Sequence, residues 1–276
     1  MQKFFRYNSR MALLRLRDRR IVVTGASSGL GRALAMHLAL REGAHLWICA
    51  RRESLLDELQ KEIRSRTNVD VKVIVTDLSQ PADRRALLKA VAADDSVSGL
   101  INNAGVTRYG PMVYADWDVF DVMMAVNLAA VMELSLGFVE IIRRREKGFL
   151  LNVTSEAAFV PTPYQGVYSA TKHGVQAFTD ALRMEYSRTP VFIGTFVPGG
   201  IRTDMISKSG LDQRISRDSR LNMTPERAAA ACVRGLKRRR PLTVPGLLNR
   251  ANHLVTRLMP RNWVLRAAEK LYRPPS

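Results

Sequence analysis

Residues 20–31 read RIVVTGASSGLG, and this stretch decides the fold. Arg20–Thr24 is rich in β-branched residues and predicts a strand, while the apolar pattern from Gly31 to Glu42 predicts a helix. The glycines between them let the backbone turn sharply and approach a pyrophosphate at the positively polarised helix N-terminus. A tight strand-to-helix turn without a ligand also needs glycine, so this loop alone leaves both interpretations open.

Outward from this stretch, short apolar runs alternate with helical patterns. Further strands are predicted at 45–49, 71–76, 99–102, 149–154, 191–197 and 242–244. These runs are apolar with little alternation, which is typical of strands covered by helices on both faces. The order predicts an α/β fold with a Rossmann-type, doubly wound parallel sheet of about seven strands. We expect one domain over residues 1–276, with its core at about 18–245.

The composition is that of a globular protein with a strong basic excess. The chain has 276 residues, of which 46% are hydrophobic, and a formal net charge of +18. Basic runs around residues 15–20, 143–147 and 237–240 indicate either a surface for anionic partners or a solvated basic surface. No motif of a nucleic-acid-binding module occurs, so we expect no DNA or RNA partner.

Several features of the sequence bear on location. Residues 1–20 are basic but lack an apolar run long enough for a signal peptide. No continuous apolar stretch of about 18 residues predicts a transmembrane helix. Cys49 and Cys232 are too few for a disulfide framework or a metal cluster, and they favour a reducing compartment. We therefore predict a cytoplasmic protein, with peripheral membrane contact at most.

The end of the second predicted strand carries two arginines. It reads Cys49-Ala50-Arg51-Arg52, and the first carboxylate after it is Glu53. A carboxylate about 20 residues after a glycine loop binds the ribose hydroxyl of NAD, whereas an arginine accommodates the 2′-phosphate of NADP. Because a guanidinium binds phosphate and a carboxylate repels it, we predict NADP(H) over NAD(H), with Arg51 on the phosphate. In the alternative, both arginines are surface charges at the start of a helix.

A tyrosine and a lysine one helical turn apart form a candidate acid–base pair. Tyr168 and Lys172 stand at positions i and i+4 of a helix predicted over 168–188, so they share one face. A free tyrosine has a pKa of about 10, and a neighbouring lysine cation favours the tyrosinate and lowers that pKa. The spacing is common by chance, and taken alone it is more typical of ordinary helix packing.

Together with other motifs, this pair makes the sequence resemble the short-chain dehydrogenase/reductase family over about residues 18–235. The motifs occur in the family's order, and Ser155 precedes Tyr168 by thirteen residues, as in the family. They are 24–31 (TGASSGLG), Asn102-Asn103-Ala104-Gly105, Val126-Asn127, Asn152-Val153-Thr154-Ser155, Tyr168-Ser169-Ala170-Thr171-Lys172, and Pro198-Gly199-Gly200 with Thr203.

The resemblance implies an enzyme that transfers a hydride between a nicotinamide cofactor and a carbonyl or alcohol. Tyr168 would exchange a proton with the substrate oxygen, and Ser155 would stabilise that oxygen. Lys172 would lower the tyrosine pKa and hold the nicotinamide ribose, and Asn127 would retain a water linking Lys172 to solvent. The implied cofactor-binding residues are Gly25, Ser27, Ser28, Gly29, Leu30, Gly31, Arg51, Asp77, Leu78, Asn103, Ala104, Gly105, Tyr168, Lys172, Pro198, Gly199, Ile201 and Thr203.

Two segments bear on the substrate. Residues 205–223 are polar and have a length that suits a substrate lid. Residues 157–167 predict a pocket wall made of Phe159, Val160, Pro161 and Tyr164, which favours a lipophilic ketone or alcohol. A non-catalytic dinucleotide-binding sensor or membrane-associated scaffold is the alternative function.

Residues 247–273 predict a basic amphipathic helical extension. Apolar residues recur there at helical spacing with arginines between them, and Pro260 interrupts the pattern. A basic amphipathic helix pair with a tryptophan can lie on an anionic membrane. Packing against the body or a second subunit is the alternative, and it is the more frequent use of such helices. The family usually forms dimers or tetramers, so we expect a homodimer or homotetramer.

Overall fold

The structure is a computed structural model that describes residues 13–145, 147–213 and 222–274. Its strands are β1 (Arg20–Thr24), β2 (His45–Ala50), β3 (Val71–Val75), β4 (Val97–Asn102), β5 (Phe149–Val153), β6 (Phe192–Phe196) and β7 (Leu242–Thr243). Its helices are α1 (Gly29–Glu42), α2 (Glu53–Arg64), α3 (Pro81–Ala92), α4 (Trp117–Met124), α5 (Ala130–Arg144), α6 (Gly166–Glu185), α7 (Asp204–Ser209), α8 (Pro225–Lys237), α9 (Leu247–Leu258) and α10 (Arg261–Tyr272).

The seven strands form one parallel sheet in the order β3-β2-β1-β4-β5-β6-β7. This confirms the predicted doubly wound α/β fold. The direction of winding reverses between β1 and β4, and in such sheets ligands bind outside the carboxyl ends of the strands at that point.

Helices cover both faces of the sheet because the strand residues alternate between two apolar cores. Ile21 and Val23 of β1 pack with α1, α2 and α8, whereas Val22 packs with α3, α5 and α6 on the other face. Successive side chains of a strand point to opposite faces, so each strand contributes to both cores. This double burial explains the continuous apolar runs in the sequence.

One continuous helical segment, Trp117–Arg144, is long and apolar enough by length and composition to cross a membrane. This departs from the expectation that no segment would qualify, because the high mean hydropathy of the segment tolerates a few interspersed polar residues. Half of its most apolar window is buried inside the fold, and core helices of soluble proteins pass the same test. Glu133 within it also binds the buried Arg84 at 2.6 Å. Its packing is that of a core helix.

Part of the basic excess holds the fold together. Arg145 donates hydrogen bonds of 2.9 to 3.2 Å to the backbone carbonyls of Val91, Ala92, Asp94 and Val97, so it closes the end of α3. Lys237 pairs with Glu42 at 2.8 Å and joins α8 to α1. These basic residues therefore have structural partners of their own.

Candidate active site

The predicted site residues converge on one cavity of about 530 Å³ at the carboxyl ends of the central strands. Ser155 lines it, together with every residue that the sequence predicted to bind the cofactor. These are Gly25, Ser27, Ser28, Gly29, Leu30, Gly31, Arg51, Asp77, Leu78, Asn103, Ala104, Gly105, Tyr168, Lys172, Pro198, Gly199, Ile201 and Thr203. Asn127 lies behind the wall.

The glycine loop is packed so tightly that side chains are excluded from it. A Cβ on Gly31 would lie 2.1 Å from the carbonyl oxygen of Gly25, which itself has a φ of 67°. Asn103 supports the loop by donating from Nδ2 to the backbone carbonyl of Thr24 at 2.9 Å. Thr24 Oγ1 in turn accepts a hydrogen bond from the backbone N–H of Asn103 at 3.0 Å. The bare backbone at the N-terminus of α1 therefore faces the cavity, which suits a pyrophosphate.

Both arginines after β2 line the cavity, but they differ in their contacts. Arg51 has a 59% exposed side chain and lies 3.9 Å from Asp77. Arg52 instead donates to the hydroxyls of Ser27 and Ser28 at 2.9 and 2.8 Å, so its guanidinium lies over the glycine loop. From the sequence, Arg51 was the predicted phosphate ligand, and Arg52 had no predicted role at the site. The two arginines together make this end of the cavity suitable for a second phosphate group.

Ser155, Tyr168 and Lys172 come together from two elements. Ser155 follows β5, and Tyr168 and Lys172 lie one turn apart at the start of α6. Burial raises the pKa of Tyr168, and a hydrogen bond with Ser155 opposes that rise. The sequence predicted the reverse, a tyrosine pKa lowered by Lys172. In this structure the shift has the opposite direction, because burial penalises the charged tyrosinate and the only opposing contribution comes from the Ser155 hydrogen bond.

Lys172 is itself buried, with 3% of its surface exposed. Its Nζ donates to the carbonyl of Val153 at 3.1 Å and lies 5.8 Å from the centre of the Tyr168 ring. Burial lowers the pKa of this lysine to about 8. The lysine therefore carries its charge at neutral pH and loses it in mildly alkaline solution.

Asn127 occupies a π-helical turn, Ala125–Ala129, between α4 and α5. Such turns are rare and occur most often at functional sites. Its side-chain amide exchanges two 2.8 Å hydrogen bonds with the backbone of Val106, and its Nδ2 contacts Thr171 Oγ1 at 3.3 Å. A Cβ on Gly105 would lie 3.4 Å from Asn127 Oδ1 and 3.5 Å from Lys172 Nζ. Asn127 thus braces the loop beside the lysine.

The wall of the substrate end differs from the predicted one. The ring of Phe159 packs edge-on against the ring of His253 of α9, with 4.4 Å between the ring centres. The Tyr164 hydroxyl donates a hydrogen bond to Glu269 of α10 at 3.4 Å. Neither Phe159 and Tyr164 nor Val160 and Pro161 line the cavity. The cavity is lined there by Val106, Thr107, Glu156, Ala157, Thr162, Gln165, Met205, Ile206, Ser209, Leu211, Asn222 and Tyr272.

Glu156 and Tyr272 are titratable residues of this wall that the sequence did not predict. Glu156 directly follows Ser155, and its Oε1 is buried without a hydrogen-bond partner among the described residues. Burial raises the pKa of that carboxyl group. Burial, with Glu156 and then Tyr168, raises the pKa of Tyr272 to about 12. Because Glu156 directly follows Ser155, its place in the sequence could have predicted it. No motif or periodicity near Tyr272 predicted that residue.

The predicted lid, residues 205–223, is described in part. α7 and a 3₁₀ turn at Leu211–Gln213 contribute Met205, Ile206, Ser209 and Leu211 to the cavity wall. Residues 214–221 of the predicted lid lie outside the described residues.

The part of the chain that builds this site matches one known family. The family described as short chain dehydrogenase matches residues 19–214. The chain belongs to the short-chain dehydrogenase family. It is thus an oxidoreductase that uses a nicotinamide dinucleotide, and the bare glycine backbone and the arginines of the cavity fit such a cofactor. The C-terminal helices α9 and α10 lie beyond the matched region.

Two curated relatives in the short-chain dehydrogenase family show how function varies within it. The very-long-chain 3-oxoacyl-CoA reductase of Anas platyrhynchos is 30% identical over 216 residues, which cover 77% of this chain and 67% of the relative. The inactive hydroxysteroid dehydrogenase-like protein 1 of Homo sapiens is also 30% identical, over 76% of this chain and 64% of the relative. The chain thus spans about two thirds of the length of these relatives.

Solved structures of short-chain dehydrogenases share the fold. A short-chain dehydrogenase from Sphingobium yanoikuyae in complex with NADPH is 26% identical with a TM-score of 0.78, covering 88% of this chain and 97% of that one. A family member from Burkholderia phymatum in complex with NAD has a TM-score of 0.81 at 22% identity, over 96% and 99% of the two chains. At that identity, the second likeness concerns the fold alone.

Proposed function

We propose that this protein reduces a lipophilic ketone with NADPH, with Tyr168 as the proton donor, and oxidises the corresponding secondary alcohol in reverse. The observation that carries the proposal is the grouping of Ser155, Tyr168 and Lys172 on the wall of the cavity that also holds the predicted cofactor residues. Burial keeps the Tyr168 phenol protonated at neutral pH. A protonated phenol suits donation to a carbonyl oxygen.

The chemistry divides between cofactor and protein. When bound, the nicotinamide supplies the hydride for the carbonyl carbon. Ser155 and Tyr168 donate hydrogen bonds to the carbonyl oxygen, where negative charge develops. Tyr168 then gives up its proton to that oxygen. The Lys172 cation stabilises the tyrosinate that remains, and Asn127 keeps the loop beside Lys172 in place.

The preference for NADP(H) over NAD(H) rests on charge. Arg51 and Arg52 both line the cavity after β2, where a 2′-phosphate would lie, and no carboxylate occupies positions 49–52. The NADPH complex of the Sphingobium yanoikuyae relative supports this preference. Asp77 lies 3.9 Å from Arg51 and offsets part of its charge, so Arg52 carries the larger share of phosphate binding.

The lipophilic substrate class rests on the apolar part of the far wall. Val106, Ala157, Met205, Ile206 and Leu211 line it, and apolar walls bind apolar ligands by excluding water. The relative from Anas platyrhynchos reduces, by its name, a very-long-chain 3-oxoacyl-CoA. Polar side chains at the same end of the cavity would fix the orientation of the substrate through hydrogen bonds.

We also propose a homo-oligomer in the cytoplasm. Leu136 of α5 and Met184 of α6 are 52% and 58% exposed, which suits burial against a second copy. Cys49 and Cys232 are both free and buried, which suits a reducing compartment. Light scattering during gel filtration measures the oligomeric state, and a monomer at micromolar concentration would contradict the first proposal.

The test is the Tyr168→Phe variant, assayed by NADPH oxidation with a panel of apolar ketones. We expect kcat to fall by about a thousandfold while the Kd for NADPH stays within about twofold, because only the proton donor is lost. Tyr114→Phe, on an 82% exposed tyrosine, is the matched control and should keep full activity.

Two outcomes would count against the proposal. Full activity of Tyr168→Phe on a good substrate would show that another group donates the proton. Tight NADPH binding with no turnover of any ketone or alcohol would instead favour the non-catalytic sensor, the class to which the inactive human relative points.

A further inference from the structure

Helix α9 presents an apolar stripe to solvent. The stripe follows the helical spacing i, i+1, i+7, i+8 and i+11, so its members lie on one face. They are Leu247, Leu248, Leu254, Val255 and Leu258, with exposures of 83%, 66%, 59%, 51% and 76%. A surface helix normally turns such a face toward the core.

The polar face of α9 is the one that contacts the protein. Asn249 Nδ2 donates to the carbonyl of Pro245 at 3.0 Å, and Arg250 Nε donates to the carbonyl of Val244 at 2.8 Å. The ring of His253 packs edge-on against Phe159. The helix is therefore anchored with its usual orientation reversed, and packing against the body is excluded as the role of the stripe within the described residues.

The apolar surface continues past Pro260 into the start of α10. Met259 is 39% exposed and Trp263 is 62% exposed. α10 itself is held to the fold, since Ala268 is buried and the hydroxyl of Tyr109 donates to the carbonyl of Tyr272. A contiguous exposed apolar surface of this kind marks an interaction site.

The charge around this surface indicates what covers it. Residues 247–273 contain six basic residues and one acidic residue, Glu269, and the whole chain has a net charge of +18. Arg261 and Arg266 of α10, which stand two residues before and three residues after Trp263, are exposed. A second copy that met this surface through its own α9 would bring the same local excess of basic residues and be repelled, which does not apply to a contact through α5 and α6. The matching partner is both apolar and negatively charged.

We propose that α9 and the first turn of α10 form a membrane-docking surface that binds an anionic phospholipid bilayer. The stripe of leucine and valine side chains enters the boundary between headgroups and acyl chains, and the arginines bind lipid phosphates. Trp263 lies at the interface, where tryptophan is favoured. This attachment is peripheral and independent of the proposed reaction.

The first test is flotation of the purified full chain with vesicles. Vesicles of phosphatidylcholine with about 30% phosphatidylserine should bind the protein at least about tenfold more tightly than pure phosphatidylcholine, and salt should weaken the binding. Leu254→Glu with Leu258→Glu should lower binding by about tenfold or more, because two apolar anchors are lost. Cofactor binding of this variant reports that it folds.

A second pair of variants isolates the charge contribution. Arg261→Glu with Arg266→Glu should lower binding to anionic vesicles by about tenfold. Arg85→Glu with Lys89→Glu makes the same change in net charge on the exposed side of α3, away from the C-terminal helices, and should leave binding within about twofold.

Tryptophan fluorescence reports the depth of insertion. Trp47 is 1% exposed, so a Trp117→Phe variant leaves Trp263 as the exposed reporter. Brominated acyl chains in the anionic vesicles should quench this variant and leave the reciprocal Trp263→Phe variant unquenched. Absence of flotation with anionic vesicles would overturn the proposal. Unchanged vesicle binding by the Leu254→Glu with Leu258→Glu variant would also overturn it. So would a dimer that forms through the stripe and does not bind vesicles.

Discussion

Tyr109 donates a 2.6 Å hydrogen bond from its hydroxyl to the backbone carbonyl of Tyr272, and so ties the loop after β4 to the last helix. Tyr272 in turn lines the cavity that contains Tyr168. The C-terminal extension lies outside the family match at residues 19–214, yet it completes the wall of the substrate end. Part of the cavity wall is therefore supplied by a segment outside the matched region.

Removing the Tyr272 side chain should weaken substrate binding without affecting the cofactor. We expect Tyr272→Ala to raise the KM for a ketone by roughly tenfold, because an aromatic part of the cavity wall is lost. The Kd for NADPH should stay within about twofold. Tyr272→Phe keeps the ring, and it keeps the hydrogen bond from Tyr109 because that bond is accepted by the backbone carbonyl of Tyr272. Its KM therefore reports the contribution of the Tyr272 hydroxyl to substrate binding. An unchanged KM in Tyr272→Ala would show that substrates do not reach this wall.

Lys172 should make the protein less stable below about pH 8. Its pKa is lowered from 10.5 to about 8 by burial, so the unfolded chain holds a proton that the folded chain releases between those values. Stability must therefore rise with pH across that range. Lys172→Met should be more stable than the wild type by about 2 kcal/mol at pH 7, after the lost Val153 hydrogen bond, with the advantage fading by pH 10.

Denaturant unfolding at several pH values measures this difference, with Lys89→Met on exposed α3 as a control whose effect should not change with pH. A pH-independent difference for Lys172→Met would contradict the shifted pKa. The variant should also lose most of its activity, because the tyrosinate loses its neighbouring cation.

Arg52 should discriminate between the two cofactors more strongly than Arg51. Its guanidinium already lies at the glycine loop through Ser27 and Ser28, whereas Arg51 is shared with Asp77. We expect Arg52→Ala to raise the Kd for NADPH by about 30-fold and Arg51→Ala by about tenfold, since each loses a charge-assisted phosphate contact. The Kd for NADH should change by less than about threefold, as nicotinamide fluorescence would measure. Equal losses for both cofactors would place these arginines outside the phosphate site.

Glu156 should carry a stability penalty at neutral pH. Burial raises its pKa above the ordinary 4.5, so the folded chain keeps a proton that the unfolded chain releases, and stability falls as pH rises through that range. Glu156→Gln should be more stable by roughly 1 kcal/mol at pH 8, with no difference below pH 4.5. Thermal unfolding of the variant and the wild type between about pH 4.5 and pH 8 measures this difference in stability. A wild type more stable than the variant at pH 8 would mean that the carboxylate has a partner.

Much of the fold followed from local sequence. The strands are short apolar runs between helical patterns, and this alternation is enough to predict a parallel sheet with helices on both faces. The site residues followed for the same reason. Parallel strands end at one edge of the sheet, so motifs after β1, β4, β5 and β6 must meet there.

Other features depended on contacts between residues far apart in the chain. The direction of the Tyr168 pKa shift is set by desolvation, which arises from packing that no single motif contains. The sequence placed Phe159 and Tyr164 in the pocket because they precede Tyr168, but in the structure they contact His253 of α9 and Glu269 of α10 and do not line the cavity. Conversely, Tyr272 lies far from the motifs in sequence, near the end of the chain, yet it lines the cavity.

The sequence by itself thus determined the sheet, the glycine loop and the tyrosine–lysine pair, because each depends on a repeating local pattern or on residues adjacent in the chain. Only the tertiary structure decided which arginine lies on the loop and which face of α9 is exposed. Periodicity shows that a helix has two unlike faces, but the direction that each face takes depends on the hydrogen bonds and ring contacts that anchor the helix.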